Sequence, residues 1–518
     1  MMLALILIII VCVLWAWSRI KQSRNKNEPP SIPGGLPLIG HAHLLIGDKL
    51  WNSVVELSYE SLRLGGVLSA AIVLSDPEDG LTVANTCLQK DAFYEFAKCW
   101  LGEGLVTGKL SIWKHHRRLL NPAFSQVVLD GFLGVFNSQS RRLVEDLKKE
   151  VGRGSFDHWV YTRHNALETI SSLTSLGKNL FSLFTVLVEK YVVVWLTTEQ
   201  IFNVFVERFQ KFWLHNDYIY NWSSLRRKQD RLLKILHNMS YTASIFLSDI
   251  KYLSGTKFKP FMDLLLELSI EKGAFNDKEI QEHVDTMIVG GHDTSASVLM
   301  FTLLMIGSYP EVQEKVFEEL RQVFSNDDRD VTKQDLSQLI YLEAVLKETM
   351  RIYPIVPVTA RVLDRNLKLK NYTLSKGRTC FMFVYGIHRH PMWGPDAEEF
   401  KPERWLNPTT LPECPTAFAA FNMGRRICIG MLCELDFHMV IYTLYYRPSM
   451  TTATKFCRRF LVLTCRLLIS KKDIFVDRDV FSIKIVDVEI QYIEISNILV
   501  CLLSSATYMS RYISWRSC

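Results

Sequence analysis

Residues 421–430 read Phe-Asn-Met-Gly-Arg-Arg-Ile-Cys-Ile-Gly, a single thiol set in a loop with two glycines and two arginines. Gly424 and Gly430 permit turns and close approaches that a Cβ would block. Arg425 and Arg426 bring positive charge near Cys428, which favours thiolate over thiol. A thiolate in an apolar, glycine-lined loop, its sulfur bonded by spare N–H groups, suits the axial position of a haem iron. An isolated Cys428 would read instead as a small buried hydrophobe.

A second cluster, Gly290-Gly-His-Asp-Thr-Ser295, falls in the middle of a long helical stretch. Asn276-Asp-Lys-Glu279 is a capping-box start, and Pro310 lies just beyond the end. The roughly thirty residues between make a helix of about 45 Å, enough to cross a whole domain. Gly290 and Gly291 each cost such a helix about 1 kcal/mol against alanine. Core packing does not explain that cost, whereas room for a flat cofactor against the backbone does. Asp293 and Thr294 then place an acid and an alcohol beside the gap, groups suited to proton delivery. A kinked helix with satisfied polar residues is the alternative.

Other residues are spaced to hold such a cofactor or the frame around it. Trp113 and Arg117, in Trp-Lys-His-His-Arg, share one helical face, where each can donate to an anionic group. Leu342, Val345, Leu346 and Met350 repeat at helical offsets, with Glu343 and Lys347 as an outward i, i+4 pair. On the same helix Glu348 and Arg351 can pair, which at a surface is worth under about 1 kcal/mol. Pro354 and Pro357 end this helix, and an extended segment delivers Arg361. His388 and His390, beside Pro391, read as structural and not as a metal pair. Gly102-x-Gly104-x-x-x-Gly108 lacks the Lys-Ser/Thr of a phosphate loop and reads as a flexible loop.

At 518 residues, 48% hydrophobic and 12% aromatic, the chain can bury a large core, and no low-complexity tract points to disorder. A formal charge of +6 spread along the chain argues against nucleic acid as a partner. Eleven cysteines at irregular spacing form neither a disulfide framework nor a zinc site. Met1–Trp17 is an unbroken apolar run followed by Arg19, Lys21, Arg24 and Lys26. That order reads as a signal anchor in the endoplasmic reticulum membrane, with the body of the protein in the cytosol. The chain thus divides into a transmembrane anchor (1–18), a basic and proline-rich hinge (19–40), a main domain (41–430) and a divergent tail (431–518). Residues 125–275 look mostly helical, and Ser182–Leu196 is an unusually apolar segment, either core or insertion. Met431–Tyr446 has helical apolar spacing through Leu432, Leu435, Met439 and Val440.

The pattern Phe-x-x-Gly-x-Arg-x-Cys-x-Gly is filled at every fixed position by Phe421, Gly424, Arg426, Cys428 and Gly430. It resembles the haem-binding signature of the cytochrome P-450 superfamily, the haem-thiolate monooxygenases. Trp113-x-x-x-Arg117, the Gly290–Ser295 run, Glu348-x-x-Arg351 and Pro402-Glu-Arg404-Trp are similar to further motifs of that family. Pro29–Pro37 resembles the hinge of its membrane-bound members. The resemblance implies a mostly α fold with a small β subdomain. It implies haem b (iron protoporphyrin IX) with Cys428 as the iron ligand and the ring lying against Gly290 and Gly291. Trp113, Arg117, Arg361 and Arg426 would reach the propionates, and Glu348, Arg351 and Arg404 would form a structural triad. Thr294 would donate to dioxygen at the iron, and Asp293 would feed protons from solvent. Electrons would come from NADPH through a flavoprotein reductase, since the chain carries no nicotinamide or flavin motif. The substrate would be a small apolar molecule: a fatty acid, another lipid, a pheromone or odorant, or a xenobiotic.

His292-Asp-Thr and its surroundings resemble the family-4 clan of fatty-acid ω-hydroxylases, particularly insect-like members. Gly290 stands where many of that clan carry a glutamate esterified to the haem, so no ester is expected. Glu434 stands where the family has a small residue, facing the thiolate, and the likeness stops after Gly430. Two other readings share the motifs. One is a haem-thiolate isomerase of fatty-acid hydroperoxides, and the other a catalytically impaired, membrane-anchored haem- or partner-binding protein.

Overall fold

The longest helix begins where the capping signal predicts. Asn276 Oδ1 accepts from the Glu279 N–H at 3.0 Å, and Glu279 Oε2 accepts from the Asn276 N–H at 3.0 Å. The two bonds satisfy groups that a helix start otherwise leaves orphaned. This helix runs Asp277–Ser308 in a computed structural model that describes residues 6, 7, 9–13, 27–32, 41, 62–64, 71–150, 157–174, 188–248, 261–325 and 327–446. The expectations for Ser182–Leu196, the anchor and hinge, and the tail fall wholly or largely outside the described residues.

Nine helices are used below: α1 (Pro77–Thr86), α2 (Leu110–Leu120), α3 (Leu133–Lys148), α4 (His158–Thr174), α5 (Val188–Gln210), α6 (Asp277–Ser308), α7 (Pro310–Phe324), α8 (Ile340–Ile352) and α9 (Met431–Tyr446). The main sheet has four strands, β1 (Leu62–Leu64), β2 (Ala71–Leu74), β3 (Thr359–Val362) and β4 (Thr379–Met382). Its order is β1-β2-β4-β3, with β2 and β4 parallel and the outer pairs antiparallel. Side chains alternate across it: Ile72 and Leu74 of β2 and Cys380 and Met382 of β4 are all fully buried on one face. A two-strand hairpin, Leu367–Lys368 with Thr373–Leu374, completes a small β subdomain beside a mostly helical body.

The main core forms where α6 meets α3, α7, α8 and α9. Leu299, Leu303 and Ile306 of α6 cluster with Phe136 and Leu143 of α3 and Val316 and Leu320 of α7. Leu342, Val345, Leu346 and Met350 of α8 join them, as their spacing predicts, and Lys347 Nζ meets Glu343 on the outside at 2.6 Å. Helix α9 spans the predicted range and enters the same core through Phe437, Val440, Ile441 and Tyr442. Leu432 departs from its predicted inward position and is exposed. Among the described residues α6 is also long and apolar enough to cross a membrane, but it is mostly buried in the protein. Its apolarity comes from packing on several sides at once.

The glycine loop after residue 101 is not a flexible surface loop. A Cβ on Gly104 would sit 2.2 Å from Thr286 Oγ1 of α6, and the Glu103 N–H donates to Glu282 Oε2 at 3.0 Å. The glycines let the loop lie directly on the long helix.

Candidate active site

The cysteine loop is seated on α1. Gly424 has φ +69°, and a Cβ there would fall 2.8 Å from the Ala84 Cβ, so glycine is required twice over. The Cys428 N–H donates to the Phe421 carbonyl at 3.0 Å, which closes the loop, and α9 starts three residues later. The Cys428 thiol is solvent-accessible although protein surrounds it closely. Burial pushes its pKa up, the Gly430 N–H pulls it down, the Glu434 carboxyl adds to the rise, and Arg117 opposes it. A thiol that is both enclosed and accessible faces an internal space. The cation acting on the sulfur is therefore Arg117 of α2 and not, as the loop sequence suggests, Arg425 or Arg426. Arg425 is exposed, and Arg426 turns away to donate from Nη1 to the Leu88 carbonyl at 3.1 Å.

Arg426 belongs to a cluster of cations without anions. Its guanidinium lies over the Trp113 indole at 4.3 Å, a cation–π contact that holds it flat. Arg361 on β3 is fully buried and donates from Nη1 to the Ala360 carbonyl at 2.8 Å. The Val362 N–H bonds the Gln89 carbonyl at 2.9 Å, and the resulting bridge sets Lys90 beside Arg361. Burial pushes Arg426 down to about 9, with Arg361 adding to the shift. Burial, then Arg426, then Arg361 bring the Lys90 ammonium well below its ordinary value. Nε and Nη2 of both Arg361 and Arg426 are buried without an acceptor. Among the described residues no carboxylate pairs with Lys90, Arg361 or Arg426. Buried, unpaired guanidinium groups are costly, and their N–H forks match carboxylates. The site is therefore built for an anionic group brought by something other than these side chains. Arg117, partly buried on the face it shares with Trp113, bonds Asn121 Oδ1 at 2.8 Å and lies between this cluster and the thiol.

Helix α6 separates the roles of its motif residues. Gly290 is exposed midway along an otherwise interior helix, and a Cβ there would meet nothing within 4 Å. It opens onto free space, as a flat ligand requires. Gly291 departs from the expectation: a Cβ would fall 2.5 Å from Ile170 Cδ1, so this glycine lets α4 press against α6. That pair makes the most extensive interhelical contact in the described structure. Thr294 Oγ1 donates to the Gly290 carbonyl at 2.5 Å, so its hydrogen is already committed and its lone pairs face outward. Asp293 is buried beside Arg163 of α4, with Nη2 to Oδ1 at 3.4 Å, and Arg163 Nη1 also holds Glu199 of α5 at 2.9 Å. Burial raises both carboxyls, and Arg163 only partly opposes it. The acid and the alcohol are thus sequence neighbours that point to different surroundings.

Glu348, Arg351 and Arg404 meet as one buried unit and not as a surface pair. Arg351 holds both Glu348 oxygens at 2.8 Å, and Arg404 Nε reaches Oε1 at 2.9 Å. Trp405 Nε1 and the Lys401 N–H, each at 2.9 Å, complete the carboxylate. Arg351 spends its remaining hydrogens on the carbonyls of His388, Ala397 and Glu399, so this unit ties α8 to the segment before the cysteine loop. His388 is structural, as its surroundings suggest. Nε2 accepts from the Ala419 N–H at 2.9 Å, so Nδ1 donates to the Arg351 carbonyl at 2.9 Å.

Sequence reasoning misses Lys90, Arg163 and Glu199. Lys90 carries no motif, because only strand pairing brings it to Arg361. Arg163 and Glu199 carry a weaker signal, charges within helices that are otherwise buried, and their pairing spans 36 residues.

The Cytochrome P450 family profile matches residues 29–436. The chain is 32% identical to "Cytochrome P450 4V2" of Mus musculus over 77% of this chain and 80% of that protein. It is 27% identical to "Cytochrome P450 4c3" of Drosophila melanogaster (85% and 87%) and 30% identical to "Cytochrome P450 4c21" of Blattella germanica (79% and 85%). With its thiol loop, its unpaired arginines and the open stretch of α6, the chain belongs to the cytochrome P450 family, the haem-thiolate monooxygenases.

Proposed function

We propose that the protein is a membrane-anchored monooxygenase that inserts one atom of O2 into a small apolar substrate, a lipid such as a fatty acid being the favoured class. The second oxygen atom leaves as water, with electrons drawn from NADPH through a separate flavoprotein reductase. The observation that carries the reading is the set of four unbonded guanidinium nitrogens on Arg361 and Arg426, in a site whose accessible thiol is Cys428. Haem b, when bound, supplies the oxygen-activating chemistry. Cys428 would ligate its iron, and Lys90, Arg117, Arg361 and Arg426 would hold its carboxylates. Trp113 stacks on Arg426 and fixes the direction of its fork. Gly290 leaves the helix face bare where a side chain would fill the space. Thr294 offers acceptor lone pairs there, and the neighbouring Asp293, whose pKa burial raises against the pull of Arg163, is the acid in reserve for proton supply. The apolar Met1–Trp17 run with its following basic residues supports anchoring at the endoplasmic reticulum, body in the cytosol.

The test is the absorbance of the reduced, carbon-monoxide-bound protein. A far-red Soret band is expected, and Cys428→Ser should abolish it. A variant that keeps the band overturns the assignment. Turnover of a fatty acid that proceeds without NADPH and reductase would overturn the monooxygenase reaction itself.

A further inference from the structure

Between Trp113 and Arg117, α2 carries His116, a buried side chain that the cofactor site leaves unused. At 100° per residue, His116 lies about 60° to one side of Trp113 and Arg117 about 40° to the other. Arg117 therefore turns toward the thiol, while His116 turns toward α6. There its Nδ1 lies 2.9 Å from Nε2 of His283, which is also buried. His283 stands two turns before Gly290, so the two share one face of α6, about 10 Å apart along its axis. One contact thus joins the helix that presents Trp113 and Arg117 to the helix face that leaves room for the ring.

The partners decide where the hydrogens sit. Nδ1 of His283 is buried with no acceptor, so a hydrogen placed there would be unpaired. His283 therefore carries its hydrogen on Nε2 and donates to His116 Nδ1. His116 carries its own on Nε2, the side on which Glu279 Oε1 lies at 3.9 Å. A second proton on either ring would force a hydrogen onto His283 Nδ1, so both rings stay neutral. Burial acts in the same direction. It lowers His116, with Glu279 opposing and the exposed His115 adding, and it lowers His283 to about 3, with His116 adding. The Phe275 ring closes the pair off, edge to face with His116 at 4.9 Å and with His283 at 5.3 Å.

A hydrogen bond between two rings has direction, and the packing around it has none. Trp113 and Leu120 of α2 share an apolar cluster with Ile280 and Val284 of α6, a kind of contact that tolerates roll and sliding. Rolling α2 about its axis would swing the Arg117 guanidinium and the Trp113 indole out of register with Arg426 and the thiol.

We propose that the bond from His283 to His116 fixes the roll of α2 against α6, so that these two histidines position Trp113 and Arg117 for the carboxylates of the haem. This positioning role rests on the reading of the site as a haem site. The experiment uses the full-length, haem-loaded protein at neutral pH and compares wild type with His283→Leu and with the double variant His116→Leu, His283→Leu. His283→Leu leaves His116 Nδ1 buried without a donor, so it should melt lower than wild type. The double variant replaces both partners by apolar groups of similar size and should recover the melting temperature. In both variants the resonance Raman bending band of the haem propionates should move to lower frequency. Haem should leave for a competing acceptor roughly fivefold faster, the worth of one hydrogen bond. His283→Gln, which keeps a donor near the position of Nε2, should restore the band and the rate. A double variant whose band and rate return to wild type along with its melting temperature shows that the pair serves the fold alone and overturns the proposal. So does failure of both leucine variants to fold, or a His283→Gln protein that restores neither readout. Failure of the haem reading is separable, because it appears as a wild-type protein lacking the far-red Soret band.

Discussion

Lys90 shows how a single residue gains meaning from its neighbours. Without an anion it stands beside Arg361 and Arg426, both of which push its ammonium toward the neutral form. With a carboxylate present the same three groups become its ligands. Lys90→Met should therefore act in opposite directions on the two forms. The apoprotein should melt higher, because a repelling charge is gone. Haem affinity should fall by about tenfold, the worth of one charge-assisted hydrogen bond of roughly 1.4 kcal/mol. Melting of the apoprotein and transfer of haem to a competing acceptor measure the two effects, and a loss in both would mean that Lys90 serves the fold alone. Cys428, Arg361 and Arg426 were findable from spacing. Lys90 was not, since its partner lies about 270 residues away along the chain and strand pairing alone joins them.

The paired glycines of α6 have separate duties. Gly291→Ala would drive a methyl into Ile170 of α4. Overpacking of this kind costs about 1–3 kcal/mol, and Ile170→Ala should restore part of it. Gly290→Ala meets no neighbour and removes a helix-weakening residue, so it should stabilise the apoprotein by up to about 1 kcal/mol. Chemical denaturation of the three proteins gives the comparison, and equal effects of the two alanines would refute the division. On α8, Glu348→Ala leaves Arg351 and Arg404 as buried cations with no carboxylate between them. Breaking such a unit from one side costs about 3–5 kcal/mol, so the variant should unfold at much lower denaturant. The Glu-x-x-Arg spacing was visible in sequence, whereas its burial was not. A pair worth little at a surface becomes decisive here because Arg404, Trp405 and three backbone carbonyls converge on it.

Across the whole molecule, buried histidines tie stability to pH. Burial, with His116 for His283, Arg163 for His292 and Arg351 for His388, lowers each of these to about 3. Their unfolded value lies near 6.5. The unfolded chain therefore binds protons below about pH 6.5 that the folded chain refuses, and stability is lost as pH falls from there toward 3. The buried carboxyls of Glu199, Asp293 and Glu434 are raised, and their contribution is lost as pH rises. These opposing slopes flatten the total. His388→Gln isolates one part: its stability should depend on pH less steeply than wild type between about 6.5 and 4.5, by up to about 1.4 kcal/mol per unit. Parallel slopes would show that His388 is not held neutral.

What the sequence alone settled was chemistry carried by neighbours in the chain. A capping box, helical spacing, a cysteine between glycines and an acid beside an alcohol depend on offsets of a few residues, and local geometry turns those offsets into shared faces and loops. The tertiary structure decided everything that depends on which surfaces meet. It turned Asp293 toward Arg163 and away from Thr294, set Gly291 against another helix and moved the thiol's cation from the loop to Arg117. It also joined His116 to His283. Contacts of that kind follow from how helices and strands pack over the whole chain, and packing distances leave no mark on the spacing of residues within one segment.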